Sequence, residues 1–181
     1  MRTWTVAGTL AVEPAAERTD LLAEPVLKTL AMLDDPDVGV AEIAPELADT
    51  AAFCEAYSSP PSAAANCLVV SGKRAGELRY AAALVLATTR ADVKRVVRPR
   101  LDVRKVSFAR MDEVVGLTGM VYGGITPVGL PADWPLLVDE AVANSPELVA
   151  GSGIRRSKLL VTGELVASLP GAEVVDLAKP A

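Results

Sequence analysis

Residues 117–131 read LTGMVYGGITPVGLP, with Gly123 and Gly124 standing four and three positions ahead of Pro127. Adjacent glycines give up two side chains, either to turn the backbone sharply or to let another group lie against it. Glycine admits positive φ and bares its N–H, while proline pushes the residue before it, here Thr126, toward an extended shape. A stiff segment with bared amides suits a carbonyl or a small polar head. A plain turn explains the same residues, so physics alone leaves both readings open.

The composition narrows the chemistry. The chain has 181 residues and no histidine, which removes the usual general base, the commonest metal ligand and every Ser–His or Cys–His pair. Catalysis must then come from carboxylates, lysine, the backbone or the substrate itself, and neither a metal nor an organic cofactor is expected. Hydrophobic residues make up 51% of the chain but aromatics only 4%. That leaves no ladder of stacking platforms for single-stranded nucleic acid, and DNA is not an expected partner. No apolar run reaches the ~18 residues of a membrane span, and the opening stretch reads as a strand rather than a secretory signal. Cys54 and Cys67 are too few for a disulfide framework and suit a reducing compartment, so a cytoplasmic protein is expected.

Charge is unevenly placed. The net charge is −5, yet residues 1–60 hold eleven acids against three bases, and residues 90–110 hold eight bases against two acids. A basic face on an acidic body attracts a polyanion even against the net charge. A solvated helix face explains the run equally well.

Alternation over 3–12 predicts a first strand, and helical spacing over 20–33 a helix with Asp20 as N-cap and Pro25 in its first turn. A short strand over 38–43 follows, then a helix from Asp49 into the Ser-Ser-Pro-Pro break at 58–61. Runs 66–72 and 79–89 read as a β-hairpin. ADVKRVVRPRL (91–101) reads as a basic helix ended near Pro99, 103–108 as a strand, and 110–119 as a helix closed by Gly119. Beyond the glycine loop come LLVD (136–139), a short helix, a strand at SKLLVT, a helix over 162–169 and a last strand AEVVDL. Short strands close together, alternating irregularly with helices, predict a mixed α/β (α+β) fold with a curved, largely antiparallel or mixed sheet and flanking helices. No GxGxxG joins an early strand to a helix, which excludes the Rossmann alternative.

In order along the chain stand Asn66-Cys67-Leu68-Val69-Val70, ADVKRV, VRKVSFARMDEV, LTG, GGITPVGLP, LLVDEAV and a Gly-Ser-Gly segment before SKLL. With Gly123 and Pro127 at Gly-x-x-x-Pro spacing behind Thr-Gly, this order resembles the YbaK/ProX (YbaK/EbsC) family of aminoacyl-tRNA deacylases. The same fold is the editing insertion of bacterial prolyl-tRNA synthetases. The resemblance runs from about Asp49 to Leu177. Residues 1–48 match less specifically and are expected to add a strand, a helix and a strand to one domain spanning 1–181.

The resemblance implies hydrolysis, in trans, of the ester joining a wrong small amino acid to the 3′ end of tRNA. Such an ester is already activated, and a vicinal ribose hydroxyl helps deliver water. The protein then has to position the ester and stabilise an oxyanion, which backbone amides can do without histidine. By this resemblance Asn66, Gly123 and Gly124 take the catalytic positions. Ile125, Thr126, Pro127, Asp139, Gly151, Ser152 and Gly153 hold the aminoacyl group, although Asp139 reads equally as a helix N-cap. Lys94, Arg95, Arg104 and Lys105 meet tRNA phosphates. The expected partners are the aminoacyl-tRNA acceptor end and an aminoacyl-tRNA synthetase, with no membrane.

Three positions depart from the family pattern. The lysine at the start of the first core strand corresponds to Asn66, which donates hydrogen bonds without charge. The serine before a glycine pair corresponds to Gly151, with Ser152 one position late, and an acidic position corresponds to Lys158. Lys73, Lys105 and Lys158 are the cations available to replace the missing one. Cys67 reads as a packed strand residue rather than a nucleophile. Tyr57 and Tyr122 read as packing or pocket walls, and Arg155 and Arg156 as an exposed turn. A relative without catalysis that binds aminoacyl-tRNA, an amino acid or a synthetase is the second reading, and a structural association domain the third.

Overall fold

The computed structural model describes residues 2–181. Its strands are β1 Val12–Pro14, β2 Gly39–Glu42, β3 Ala65–Arg74, β4 Glu77–Leu86, β5 Thr89–Ala91, β6 Ser107–Phe108, β7 Leu136–Asp139, β8 Leu148–Gly151, β9 Ser157–Val161, β10 Ala172–Val175 and β11 Ala178–Pro180. Its α-helices are α1 Glu24–Leu33, α2 Thr50–Tyr57, α3 Arg98–Leu101, α4 Met111–Thr118, α5 Glu140–Ala143 and α6 Gly163–Ala167.

The hairpin predicted from the two β-branched runs is the centre of the molecule. β3 and β4 pair along their whole length from Ala65↔Leu86 to Arg74↔Glu77. Ala75 and Gly76, with φ of 50° and 83°, make the turn between them, the positive-φ pair that matches strand twist. Around this hairpin lies a five-stranded sheet of order β10-β7-β4-β3-β6. β7 runs parallel to both β4 and β10, while β3 is antiparallel to β4 and β6. A second sheet, β1-β2-β9-β8, is antiparallel throughout. An isolated backbone bridge, Ala64 to Val149, links the two sheets. The mixed α/β fold with largely antiparallel pairing is therefore present, divided between these two sheets and a two-stranded antiparallel ribbon of β5 and β11.

The main core explains why the sheets stay together. Val26 of α1, Val40 of β2, Leu84 of β4, Leu136 of β7, Leu148 of β8 and Leu159 of β9 are all buried in one cluster. Burying a side chain of this size contributes about 1.5–3 kcal/mol. Residues 2–48 share in this core, because β2 pairs with β9 and α1 packs on both sheets. A second cluster, with Val70, Val97, Leu101 and Leu137, seats the helical segment 93–101 on the five-stranded sheet.

Several local expectations change. The alternation over 3–12 gives a short 3-10 turn at Thr5–Ala7, and pairing begins only at Val12. Gly8 lies at φ 60° with no room for a Cβ against the Tyr57 carbonyl, so the chain bends there instead of extending. α1 begins at Glu24, not after Asp20, and Ala23 caps it without a side-chain bond. The basic helix does not end at Pro99. It opens as a π-turn over Val93–Val97 and passes into α3 with Pro99 in the first turn, where a missing N–H costs nothing. The strand at 103–108 shrinks to Ser107–Phe108. Among the described residues no helix is long and apolar enough to cross a membrane.

Candidate functional site

The two glycines of the quoted stretch do different work. Val121 to Gly124 form a turn closed by the Gly124 N–H donating to the Val121 carbonyl at 3.0 Å. Gly123, with φ 82°, is its only residue of positive φ, and it holds the third position, where a type II turn needs glycine. A Cβ on Gly123 would overlap the Arg155 guanidinium, whereas a Cβ on Gly124 would meet the Ile154 backbone N and O at 2.6 Å. Gly123 is exposed and Gly124 buried. Gly124 is architecture, and Gly123 presents bare backbone.

A second loop holds the first in place. The Gly153 N–H donates to the Gly124 carbonyl at 2.7 Å, and the Val121 N–H donates to the Gly153 carbonyl at 2.9 Å. Gly151 lacks a Cβ where the Ile125 and Gly124 carbonyls pass at 2.6 and 2.8 Å. Arg155 spans the outside, donating to the Tyr122 and Pro45 carbonyls at 3.1 Å each. Thr126 and Pro127 are buried beneath the loop, and the Thr126 hydroxyl accepts the Val128 N–H. With every neighbour fixed, the amides of Gly123 and Ile125 find no protein acceptor among the described residues.

Gly123 and Ile125 line a cavity of about 230 Å³ where the two sheets meet. One wall is the start of β3, whose outer edge is open from Ala65 to Leu68 because β6 pairs only with Val70 and Ser71. The opposite wall is Gly151 and Lys158 from β8 and β9, and Tyr122 and Met111 form part of the rim. Asn66 stands between this cavity and an adjoining one of about 700 Å³, and Asp49 and Thr50 line both. The Thr50 hydroxyl donates to Asn66 Oδ1 at 2.8 Å. That bond orients the carboxamide and leaves its NH₂ group as donor.

Lys158 is 8% exposed. Its Nζ donates to the Ala48 carbonyl at 2.9 Å and lies 5.2 Å from the centre of the Phe53 ring. Burial pushes its ammonium below the ordinary lysine range; Cys54 and Asp49 work against that, and Arg155 adds to it. Burial also pushes the Cys67 thiol up to about 12, so it is not a thiolate nucleophile at neutral pH.

The fold brings together Asn66, Gly123, Ile125 and Gly151 at this cavity, with Gly124 and Gly153 behind them. Asp139 is elsewhere. Its Oδ2 caps α5 at Ala141, and its Oδ1 accepts the Leu177 and Ala178 N–H groups, so the carboxylate ties the C-terminal segment to β7. Ser152 is fully buried, with its hydroxyl 2.7 Å from that of Ser157. Tyr57 packs, its hydroxyl accepting the Ala44 N–H, while Tyr122 remains at the cavity rim. Arg156 pairs with Asp20 and Glu42. Lys94, Arg95, Arg104 and Lys105 are exposed, and Arg95 is paired with Asp92 at 3.0 Å. Lys105 abuts Gly72, six residues along β3 from Asn66, or roughly 20 Å at about 3.3 Å per strand residue. The contributions of Asp49, Thr50 and Met111 were not legible in sequence. Asp49 and Thr50 read as a helix start, which they are, and only the packing of α2 through Phe53 and Cys54 against Ala41 of β2, Val149 of β8 and Leu160 of β9 turns them to the cavity.

A family model described as the aminoacyl-tRNA editing domain matches residues 44–169. No curated protein matches the chain. Among solved structures, a candidate trans-editing enzyme for prolyl tRNA synthetase is similar at a TM-score of 0.72 and 25% identity, covering 87% of this chain and 96% of that one. A scaffold protein from computational epitope grafting is similar at 0.73 and 25%, covering 87% and 97%. A hypothetical protein at 0.73 and 22%, covering 86% and 100%, shares the fold.

Proposed function

The chain belongs to the aminoacyl-tRNA editing-domain family, YbaK/ProX, and from that premise we propose that it is a free-standing deacylase hydrolysing, in trans, the ester of a mischarged small amino acid on tRNA. One observation carries this reading: Gly123 and Ile125, whose N–H groups have no acceptor among the described residues, line a cavity of acyl-group size, in a loop held by its neighbours. The small cavity takes the aminoacyl group, and the adjoining larger one takes the terminal nucleotide.

Water adds to the ester carbonyl carbon, helped by the vicinal ribose hydroxyl. The carbonyl oxygen becomes an oxyanion facing the loop amides. Collapse breaks the bond to the ribose oxygen, which leaves protonated, and releases the free amino acid. Each preorganised donor of this kind is worth about 10²–10³ in rate. Asn66, oriented by Thr50, steadies the acyl group or the terminal adenosine through its NH₂. The exposed cations at 94, 95, 104 and 105 meet phosphates further along the acceptor stem. We place this work in the cytoplasm, with residues 1–181 acting as one editing unit, alone or beside a synthetase.

Deacylation of a panel of tRNAs mischarged with small amino acids tests the proposal. Turnover of at least one member well above the uncatalysed rate is expected. Binding of the panel with no turnover anywhere would favour a binder without catalysis.

A further inference from the structure

Two side chains in the cavity carry opposite charges that do not meet. Lys158 is buried, and one of its three N–H donors is spent on the Ala48 carbonyl. Asp49, the next residue after Ala48, caps α2 by accepting the Ala51 and Ala52 amides on Oδ1. Its Oδ2 has no donor among the described residues. Both residues line the cavity, yet they form no ion pair with each other. A buried charge without its counter-charge is a costly arrangement, and a ligand that bridges the two would complete it. Such a ligand presents a cation to Asp49 and an acceptor oxygen to Lys158, a short distance apart.

We propose that Asp49 and Lys158 together read the head of an α-aminoacyl ester, Asp49 taking the free α-ammonium and Lys158 the carbonyl oxygen. This inference rests on the aminoacyl end entering the cavity beside Gly123. In an α-aminoacyl ester the ammonium nitrogen and the carbonyl oxygen are separated by two carbons, which suits a cavity of this volume. The site therefore selects esters with a free amine and refuses N-acylated, peptidyl-type ones. It also means that the cation of the site comes from β9, across the cavity from Asn66. The lowered proton affinity of the Lys158 ammonium is in keeping with an ammonium short of partners.

The test titrates non-hydrolysable 3′-(L-alanyl)amino-3′-deoxyadenosine and its N-acetyl counterpart against the full chain by calorimetry. The free amine should bind about tenfold tighter or better, the scale of one charge-assisted hydrogen bond. Asp49→Asn keeps the helix cap and should bring the ratio to about one. Lys158→Met should weaken both ligands about tenfold while still melting cooperatively; Lys158→Gln replaces it should the methionine variant misfold. Equal binding of both ligands by the parent protein, a preference that survives Asp49→Asn, a Lys158 variant that binds like the parent, or binding of neither ligand would each overturn the inference. Deacylation assays on the same variants separate the two proposals. Turnover unchanged by Asp49→Asn and Lys158→Met sinks this inference and leaves the deacylase standing, whereas amine preference without turnover does the reverse.

Discussion

The cavity at the sheet junction and the basic segment 90–110 are opposite kinds of surface. The segment is contiguous in sequence, largely exposed and strongly charged, and its basic side chains reach water or neighbouring carboxylates such as Asp92, Glu173 and Asp112. The cavity draws Asp49, Asn66, Gly123 and Lys158 from across more than a hundred residues and has one buried charge. Exposed charges are screened and individually cheap, with pairs worth about 0–1 kcal/mol, whereas fixed amides in a partly closed site act at full strength. Contiguity made the first easy to read and says little about its importance. Dispersion hid the second.

The largest expected effect falls on the cavity. Gly123→Val puts a β-branched side chain at φ 82° and into the Arg155 guanidinium, displacing the loop amides. Deacylation should fall about 10²-fold or more, read as kcat/KM on the best mischarged tRNA; turnover within a few-fold of the parent would take the loop out of the mechanism. Next in size is Gly124→Ala, where the new Cβ meets the Ile154 backbone rather than a movable side chain. We expect a loss of about 1–3 kcal/mol in denaturant unfolding, the usual cost of overpacking. A neutral result would mean that the two loops are not held against each other as described.

Lys158 gives a smaller, pH-dependent signature. Its folded-state pKa lies below the ordinary 10.5 because burial, with Arg155, outweighs the pull of Cys54 and Asp49. The unfolded chain then binds more protons between the folded value and 10.5, so this residue makes stability rise with pH across that window. Subtracting the unfolding free energies of Lys158→Met from those of the parent should leave a rising curve there. A flat difference would mean the ammonium is hydrated. The smallest effect belongs to the basic segment. Arg104→Ala with Lys105→Ala should weaken tRNA binding a few-fold and reduce the slope of log K against log salt by about one to two. Affinity insensitive to salt between about 50 and 200 mM would remove the segment from the interface.

Much of the fold was legible. The β3–β4 hairpin followed from β-branched runs around a Gly-containing turn, α4 from its spacing and the closing Gly119, and α2 from Asp49 before an apolar stretch. Residues 3–12 misled because alternation is a prediction about a face, and no partner strand is available until Val12 reaches Ala41. Asp139 read equally as a cap or a site residue, and it is the cap of α5. A carboxylate at a strand end serves a site or a cap alike, and it took the approach of Leu177, 38 residues away, to engage its second oxygen.

Sequence alone determined that catalysis by histidine is impossible, that the chain alternates strands and helices irregularly, and that a rigid glycine–proline loop lies near residue 125. Those are properties of composition and local backbone preference, and they survive without any knowledge of neighbours. Tertiary structure decided which glycine lines the cavity and which packs against protein, because that depends on where Ile154 and Arg155 arrive. It also decided that the buried cation is Lys158. A lysine's burial and free donors are set by the strands packed around it, here β2 and β8 with the Ala48 carbonyl, and nothing in the side chain's own sequence neighbourhood encodes them.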